Sequence, residues 1–220
     1  MSTDAGRPGS GLGTTGNGAS GQRSGRGRPP RYRQDELLDL VVAEFNERGY
    51  EATSMEDLAR ATGLNKSSFY HHVSGKEQLL SMGVNRALDA LAGVMAESAA
   101  QSGRPVQRLE HVVRRTAEVL LAELPFVTLL LRVRGNTKVE REALRRRREL
   151  DSQLAALVRE AAEAGEIRFD VDPRLAARLL FGMVNSITEW YRPAGVRPSS
   201  RADIVTAVVE VSMHGLRGWE

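Results

Sequence analysis

From Arg33 onward, apolar residues recur with helical spacing almost without interruption. Leu37, Leu38, Val41, Val42 and Phe45 fall at i, i+1, i+4, i+5 and i+8, one face of a first helix, and Gly49 supplies its stop. Ser54 ahead of Met55-Glu56-Asp57 reads as an N-cap with a capping-box acid at Asp57, opening a short helix that runs to Thr62 and Gly63. A second short helix is expected over 66–72. Ser74 with Glu77 reads as another capping box, opening a long helix that turns Leu80, Val84, Leu88, Leu91 and Met95 inward and breaks at 101–103. Pro105 restarts a helix carrying Leu109, Val112, Val113, Thr116 and Leu120, and a compact apolar helix follows over 125–134, closed by Gly135-Asn136. Thr137 with Glu140 caps a long charged helix to about Ala164, with Leu144, Leu150, Leu154 and Leu157 inward. Asp172 before Pro173 is an N-cap with proline at the first helical position and opens helix 173–191; Ser199-Ser200 begins a last helix over about 200–216. Ile167-Arg168-Phe169 is too short to argue for a sheet. The pattern predicts an all-α fold of about nine helices.

Residues 1–30 follow no such period. They hold nine glycines and, as large apolar residues, only Met1 and Leu12, so the segment is expected to be disordered when alone. Gly11–Gly16 and Gly16–Gly21 both match the dinucleotide-binding glycine spacing. That spacing works only between a strand and a helix, and no strand precedes either match. Charge follows the same division. The chain carries a net +3, but residues 1–33 hold six arginines against Asp4, a net of +5, which leaves −2 for the remainder. A basic arm on a neutral-to-acidic body suits a polyanionic partner; a solubilising extension is the plainer reading.

The rest of the composition narrows the chemistry. With no cysteine there is no disulfide framework, thiol chemistry or Cys-ligated metal. Without an apolar run in the first thirty residues or a membrane-length one later, a cytoplasmic protein with no membrane partner is expected. No Gly-x-Ser-x-Gly elbow, phosphate-binding Gly-Lys-Ser/Thr loop or paired-histidine metal helix occurs. His71 and His72 are adjacent and diverge around a helix, and His111 and His214 are isolated. The sequence therefore predicts no enzyme, no cofactor and no metal site.

Residues 54–76 carry the most information. Two short helices joined by a tight turn, with Ala59 and Gly63 four apart, fit a DNA-reading helix-turn-helix. Ala59 lets the second helix pack closely, and Gly63 permits a left-handed turn. The second helix presents Lys66, Ser67, Ser68, Tyr70 and His71 while Phe69 and Val73 anchor it from behind. Small polar groups and a cation near a helix N-terminus suit base edges and phosphates in a major groove. A plain helical hairpin with a solvated face has the same periodicity.

The run from Thr53 to Leu80, above all Phe69-Tyr70-His71-His72-Val73 with Lys76-Glu77 and Leu79-Leu80, resembles the DNA-binding domain of TetR-type transcriptional regulators. Phe45-Asn46-Glu47-Arg48-Gly49-Tyr50 matches as well. The resemblance implies three parts: a disordered basic arm at 1–31, a helix-turn-helix domain at 32–78, and a ligand-binding and dimerisation domain at 79–220. It further implies that Thr53 and Ser54 contact phosphate, that Lys66, Ser67 and Ser68 open the recognition helix, that Tyr70 and His71 reach backbone or base edges, and that Lys76 holds a phosphate. Arg26-Gly27-Arg28-Pro29 is a motif that lies in narrow A·T minor grooves, with Arg26 and Arg28 as its reading cations; a nonspecific basic tail is the alternative.

In the family, the last two helices pair with those of a second copy, which implies a homodimer through 173–191 and 200–216 on a palindromic double-stranded operator. The family's effector cavity lies among the middle helices, making Phe126, Leu130, Arg134, Asn136, Arg141, Arg145, Asn185, Thr188 and Trp190 the candidate lining. The run Arg145–Arg148 suits a phosphorylated or CoA-bearing ligand, or else a solvated face beside Glu140, Glu142 and Glu149. Trp190-Tyr191-Arg192-Pro193 with the Arg134-Gly135-Asn136 turn resembles the branch that answers to acyl-CoA thioesters. The reading that follows is a homodimeric repressor released by a small-molecule effector, an acyl-CoA or another hydrophobic metabolite. An architectural DNA protein without effector response is the competing one.

Overall fold

A computed structural model of the chain describes residues 33–216, apart from Lys66, Ser68, His71, His72, Phe169 and 194–199. Among the described residues there are nine helices and no strand. They are α1 (Gln34–Arg48), α2 (Met55–Ala61), α3 (Lys76–Ala96), α4 (Ser98–Gln101), α5 (Pro105–Ala122), α6 (Leu124–Arg132), α7 (Lys138–Glu163), α8 (Pro173–Trp190) and α9 (Arg201–Leu216). Between α2 and α3, in the segment 65–73, Ser67, Phe69 and Tyr70 are helical; the amide of Phe69 donates to Asn65 O and that of Val73 to Phe69 O. The expected all-α architecture is the observed one.

Local rules explain most boundaries. In α2, Ser54 Oγ accepts from the Asp57 amide while the Asp57 carboxylate accepts from Ser54, closing the reciprocal cap. Thr137 and Glu140 do the same for α7, and Asp172 accepts from the Leu175 amide ahead of Pro173. Ser200 and Asp203 close a reciprocal pair at the start of α9.

Two expected boundaries are corrected. Ser74 does not pair with Glu77; its amide and hydroxyl both donate to Gln78 Oε1 (2.6 and 2.9 Å), and the N-cap of α3 is Gly75. The long helix also breaks earlier than 101–103, at Glu97, whose backbone is extended. There the carboxylate meets His111 Nε2 (2.6 Å) and the Arg115 guanidinium (3.0 Å), both from α5. Burial pushes the Glu97 carboxyl up, but the bonds from His111 and Arg115 outweigh it and hold it below the ordinary range.

The helices form two connected parts. α1, α2, the 65–73 segment and the start of α3 surround Leu38, Val42, Phe45, Leu58, Phe69 and Leu80, all buried. The larger bundle packs α3, α5, α6, α7, α8 and α9 together, with α3 and α6 reaching back onto α1. Gly83 makes that reach possible. A Cβ there would sit 2.9 Å from Leu129 Cδ2 and 3.1 Å from Val42 Cγ2, so the backbone of α3 enters a notch that no side chain fits without displacement. Glycine in a helix interior costs about 1 kcal/mol relative to alanine, which close approach here offsets.

Candidate DNA-reading face and effector slot

The reading end is built around the turn after α2. Thr62 caps α2, Gly63 adopts φ +66, the Gly63 amide donates to Arg60 O, and the Leu64 amide donates to Ala59 O. This is a left-handed helix stop, with Leu64 buried over it. It redirects the chain so that Phe69 and Val73 enter the core while Ser67 stays exposed and Tyr70 is 47% exposed. An aromatic ring kept in solvent, one residue from a fully buried one, gives this segment an anchored inner side and a free outer side. Lys66, Ser68 and His71, expected on the same outer side, lie outside the described residues, as do Arg26 and Arg28 of the arm.

Thr53, expected at phosphate, is corrected. It is 1% exposed and its hydroxyl donates to Gly49 O at 2.7 Å, so its side chain holds the loop rather than facing out. Ser54 is exposed, with its hydroxyl engaged by Asp57. That bond, followed by the Arg60 and Arg48 charges, holds the Asp57 carboxyl below the usual range. Lys76, also expected at phosphate, sends its ammonium to Tyr50 O (2.9 Å) and stacks it 4.4 Å from the Tyr50 ring centre. It thereby fastens the loop after α1 to the start of α3. Burial, followed by the Glu77, Glu51 and Glu140 charges, raises the Tyr50 hydroxyl.

The nine-residue helix α6 joins the two parts. Asn46 of α1 donates from Nδ2 to Pro125 O (2.8 Å) and accepts at its carbonyl from the Arg132 guanidinium, gripping α6 at both ends. Leu129 fills the Gly83 notch. Beside this grip, Arg86 of α3 donates to Glu123 (2.7 Å), lies 3.5 Å from Asp39 and stacks 4.0 Å from the Phe126 ring centre. Phe126, expected in the effector cavity, is therefore part of the junction.

On its other side α6 faces an apolar slot. Val127, Leu130 and Leu131 line it with Leu91 and Met95 of α3, Thr116 of α5, Leu150 of α7, and Phe181 and Asn185 of α8. Its empty space is about 520 Å³, mouth included, but it is narrow, so an occupant thicker than the gap must part the helices. Two charged groups enter it, Arg147 and Asp151. Burial lowers the Arg147 guanidinium and raises the Asp151 carboxyl, each partly opposed by the other's charge and, for Asp151, by Arg178. A cation and an acid held in such surroundings mark a site able to meet a polar group on an otherwise apolar ligand.

Of the candidates for that site, Leu130 and Asn185 line the slot. Arg134 and Asn136 border a different hollow, between the α6–α7 turn and the loop 49–52. Arg141 donates to the carbonyls of Gly135 and Asn136, tightening that turn. Arg145 is exposed and paired with Glu142 and Glu149. The Thr188 hydroxyl returns to Asn185 O, and Trp190 is 56% exposed on the outer side of α8. The Trp190–Pro193 tail and the Arg134–Asn136 turn thus do not meet at the slot. Sequence reasoning reached Arg147 only as part of the run Arg145–Arg148 and missed Asp151. The signal was their spacing with Leu150 and Leu154, which turns one of four consecutive arginines inward.

A helix-turn-helix joined to an all-helical bundle defines a DNA-binding regulator of transcription. Two family models match the chain: residues 37–81 match the tetR family of bacterial regulatory proteins, and residues 102–216 match a tetracyclin repressor-like C-terminal domain. The chain belongs to the TetR family. It is 32% identical over 169 residues to the HTH-type transcriptional repressor KstR2 of Rhodococcus jostii (strain RHA1), covering 74% of this chain and 81% of that protein. The crystal structure of SCO3833, a TetR-family member from Streptomyces coelicolor A3, is 55% identical, with a TM-score of 0.78 over 87% of this chain and 94% of that one. AibR in complex with isovaleryl coenzyme A and operator DNA is 26% identical, with a TM-score of 0.69 over 82% of this chain and 97% of that one. The family consists of transcriptional regulators, which are not enzymes. Among the described residues no helix is long and apolar enough to cross a membrane, and no group of acids and histidines is arranged for a metal ion.

Proposed function

We propose that the protein is a homodimeric repressor that leaves a palindromic operator when an apolar effector, in the first instance an acyl-CoA, enters the slot. The observation that carries this reading is the double engagement of α6. Val127, Leu130 and Leu131 line the slot, while Pro125, Leu129 and Arg132 of the same short helix hold α1 and α3. An occupant that parts the slot moves α6, and α6 cannot move without shifting the reading end. Effector and operator then compete as two ligands preferring different arrangements of one molecule. The isovaleryl coenzyme A and operator DNA held by AibR support both ligand classes.

The parts follow the division at 1–31, 32–78 and 79–220. Ser67 and Tyr70 face a major groove, and Lys66, Ser68 and His71 are the further contacts that the family resemblance implies. Ser54 stands at the backbone, while Thr53 and Lys76 act by fixing the loop that supports it. Arg26 and Arg28 track the adjacent minor groove. Deleting 1–31 is expected to weaken operator binding and flatten its salt dependence by up to about 0.9 log unit per lost phosphate contact. An unchanged slope contradicts that role.

Dimerisation is supported by an outer stripe of Leu175, Leu179 and Trp190 on α8, continued by Val211 on α9, all at least half exposed. Large apolar residues in a row on two adjacent helices fit a self-complementary interface, and two readers about 34 Å apart suit successive turns of DNA. Sedimentation of Leu179→Glu tests this: monomers with lost operator binding are expected, and an intact dimer refutes the interface.

A further inference from the structure

Beside the slot, along the seam of α7 and α8, lies a second hollow of about 770 Å³, mouth included, rimmed by Arg148, Arg159, Arg174 and Arg178. Elsewhere on the bundle several arginines meet carboxylates: Arg104 with Glu166, Arg108 with Glu160, Arg114 with Glu110, Arg146 with Asp89. The guanidiniums of these four make no ion pair or hydrogen bond among the described residues, and a single carboxylate, Asp151, lines the hollow with them, its charge acting on Arg178. Four guanidiniums against one carboxylate leave a net positive charge in the hollow, an arrangement that a polyanion relieves.

The hollow adjoins the slot. Asp151 lines both. On α8, Arg174, Arg178, Phe181 and Asn185 follow at i, i+4, i+7 and i+11, a single stripe whose first two members rim the hollow and whose last two line the slot. On α7 the order is reversed: Arg159 lies at the outer end, Asp151 at the join and Arg147 in the slot. Seven residues of helix separate Arg178 from Asn185, about 10 Å at 1.5 Å per residue.

Resting on the effector reading above, we infer that the α7–α8 arginines form a phosphate subsite and that the slot takes the apolar end of the same molecule, a nucleotide-bearing thioester. A free fatty acid has one charge, carried at the end of its chain, and leaves the four cations unmet. The adenosine 3′,5′-bisphosphate end of coenzyme A carries phosphates enough to face all four, on an arm long enough to leave the acyl group in the slot.

Calorimetry on the full chain tests this with octanoyl-CoA, octanoate and adenosine 3′,5′-bisphosphate, using the wild type and Arg174→Ala/Arg178→Ala. The double variant is expected to bind octanoyl-CoA at least roughly a hundredfold more weakly, two charge-assisted contacts being lost, with its octanoate binding and melting temperature unchanged. The bisphosphate alone is expected to bind the wild type and not the variant. Equal octanoyl-CoA affinity in both proteins overturns the subsite while leaving an effector in the slot. Should the wild type bind neither octanoyl compound, the effector reading fails, and the bisphosphate decides the subsite by itself: arginine-dependent binding supports it, and no binding overturns it. A dimer weakened in the variant, with nucleotide binding unchanged, assigns the arginines to contact between copies and also overturns it.

Discussion

The helix-turn-helix end and the C-terminal bundle of this chain are specified in different ways. Around residues 54–73 nearly every feature is local: a reciprocal cap at Ser54 and Asp57, a left-handed stop at Gly63, an anchor at Phe69 and an exposed ring at Tyr70. The slot has no local signature. Its lining comes from five helices; of its two charged groups, Arg147 sits inside a run of arginines that otherwise faces solvent or neighbouring helices, and Asp151 follows one turn later. A surface that must fit one invariant shape, the DNA groove, can be written in a short motif. A cavity that must fit a particular metabolite is written in the packing of a whole bundle.

The largest expected effect falls on the anchor. Phe69→Ala empties a fully buried site and is expected to cost about 3–5 kcal/mol, with operator binding lost, as thermal melting and anisotropy of labelled DNA will register. Tyr70→Ala touches the free side alone. It is expected to cost about 1–3 kcal/mol of operator affinity with melting temperature and effector affinity unchanged. Equal damage to stability from both substitutions erases the distinction between an inner and an outer side.

Much of the fold is legible because caps and stops act within one turn of chain. Thr137 with Glu140, Asp172 with Pro173, and Ser54 with Asp57 all fall where their residue types place them. Several contacts that spacing does not foresee involve a partner distant in sequence. Glu97 ends α3 because His111 and Arg115 of α5 bind its carboxylate. Lys76 turns to Tyr50 because the loop after α1 folds over it, whereas Thr53 bonds the Gly49 carbonyl four residues back in that same loop. Phe126 belongs to the junction because Arg86 covers it. The choice of Gln78 over Glu77 as the partner of Ser74 lies within a single turn, and spacing alone does not distinguish the two.

Smaller effects address the link between the two ends. Asn46→Ala removes the bond to Pro125 O, worth about 1 kcal/mol, so effector-induced release is expected to weaken by about fivefold while each ligand alone binds nearly as before. Unaltered release would remove Asn46 from the path. The cap offers the mildest test. Ser54→Ala is expected to cost about 1 kcal/mol. Because the Asp57 carboxyl is held below its unfolded value, its contribution is complete above the ordinary carboxylate range and is lost as pH falls through the lowered folded value. Asp57→Asn should therefore flatten the acid limb of the stability profile; an unchanged limb shows that other carboxylates set it.

The most direct measurement of the link is the affinity of the wild-type protein for labelled operator DNA, titrated with short-, medium- and long-chain acyl-CoA while calorimetry records whether each binds. A bound acyl-CoA is expected to weaken operator affinity by about 5- to 150-fold, the usual range of such coupling. An acyl-CoA that fills the protein and leaves operator affinity unchanged contradicts the account.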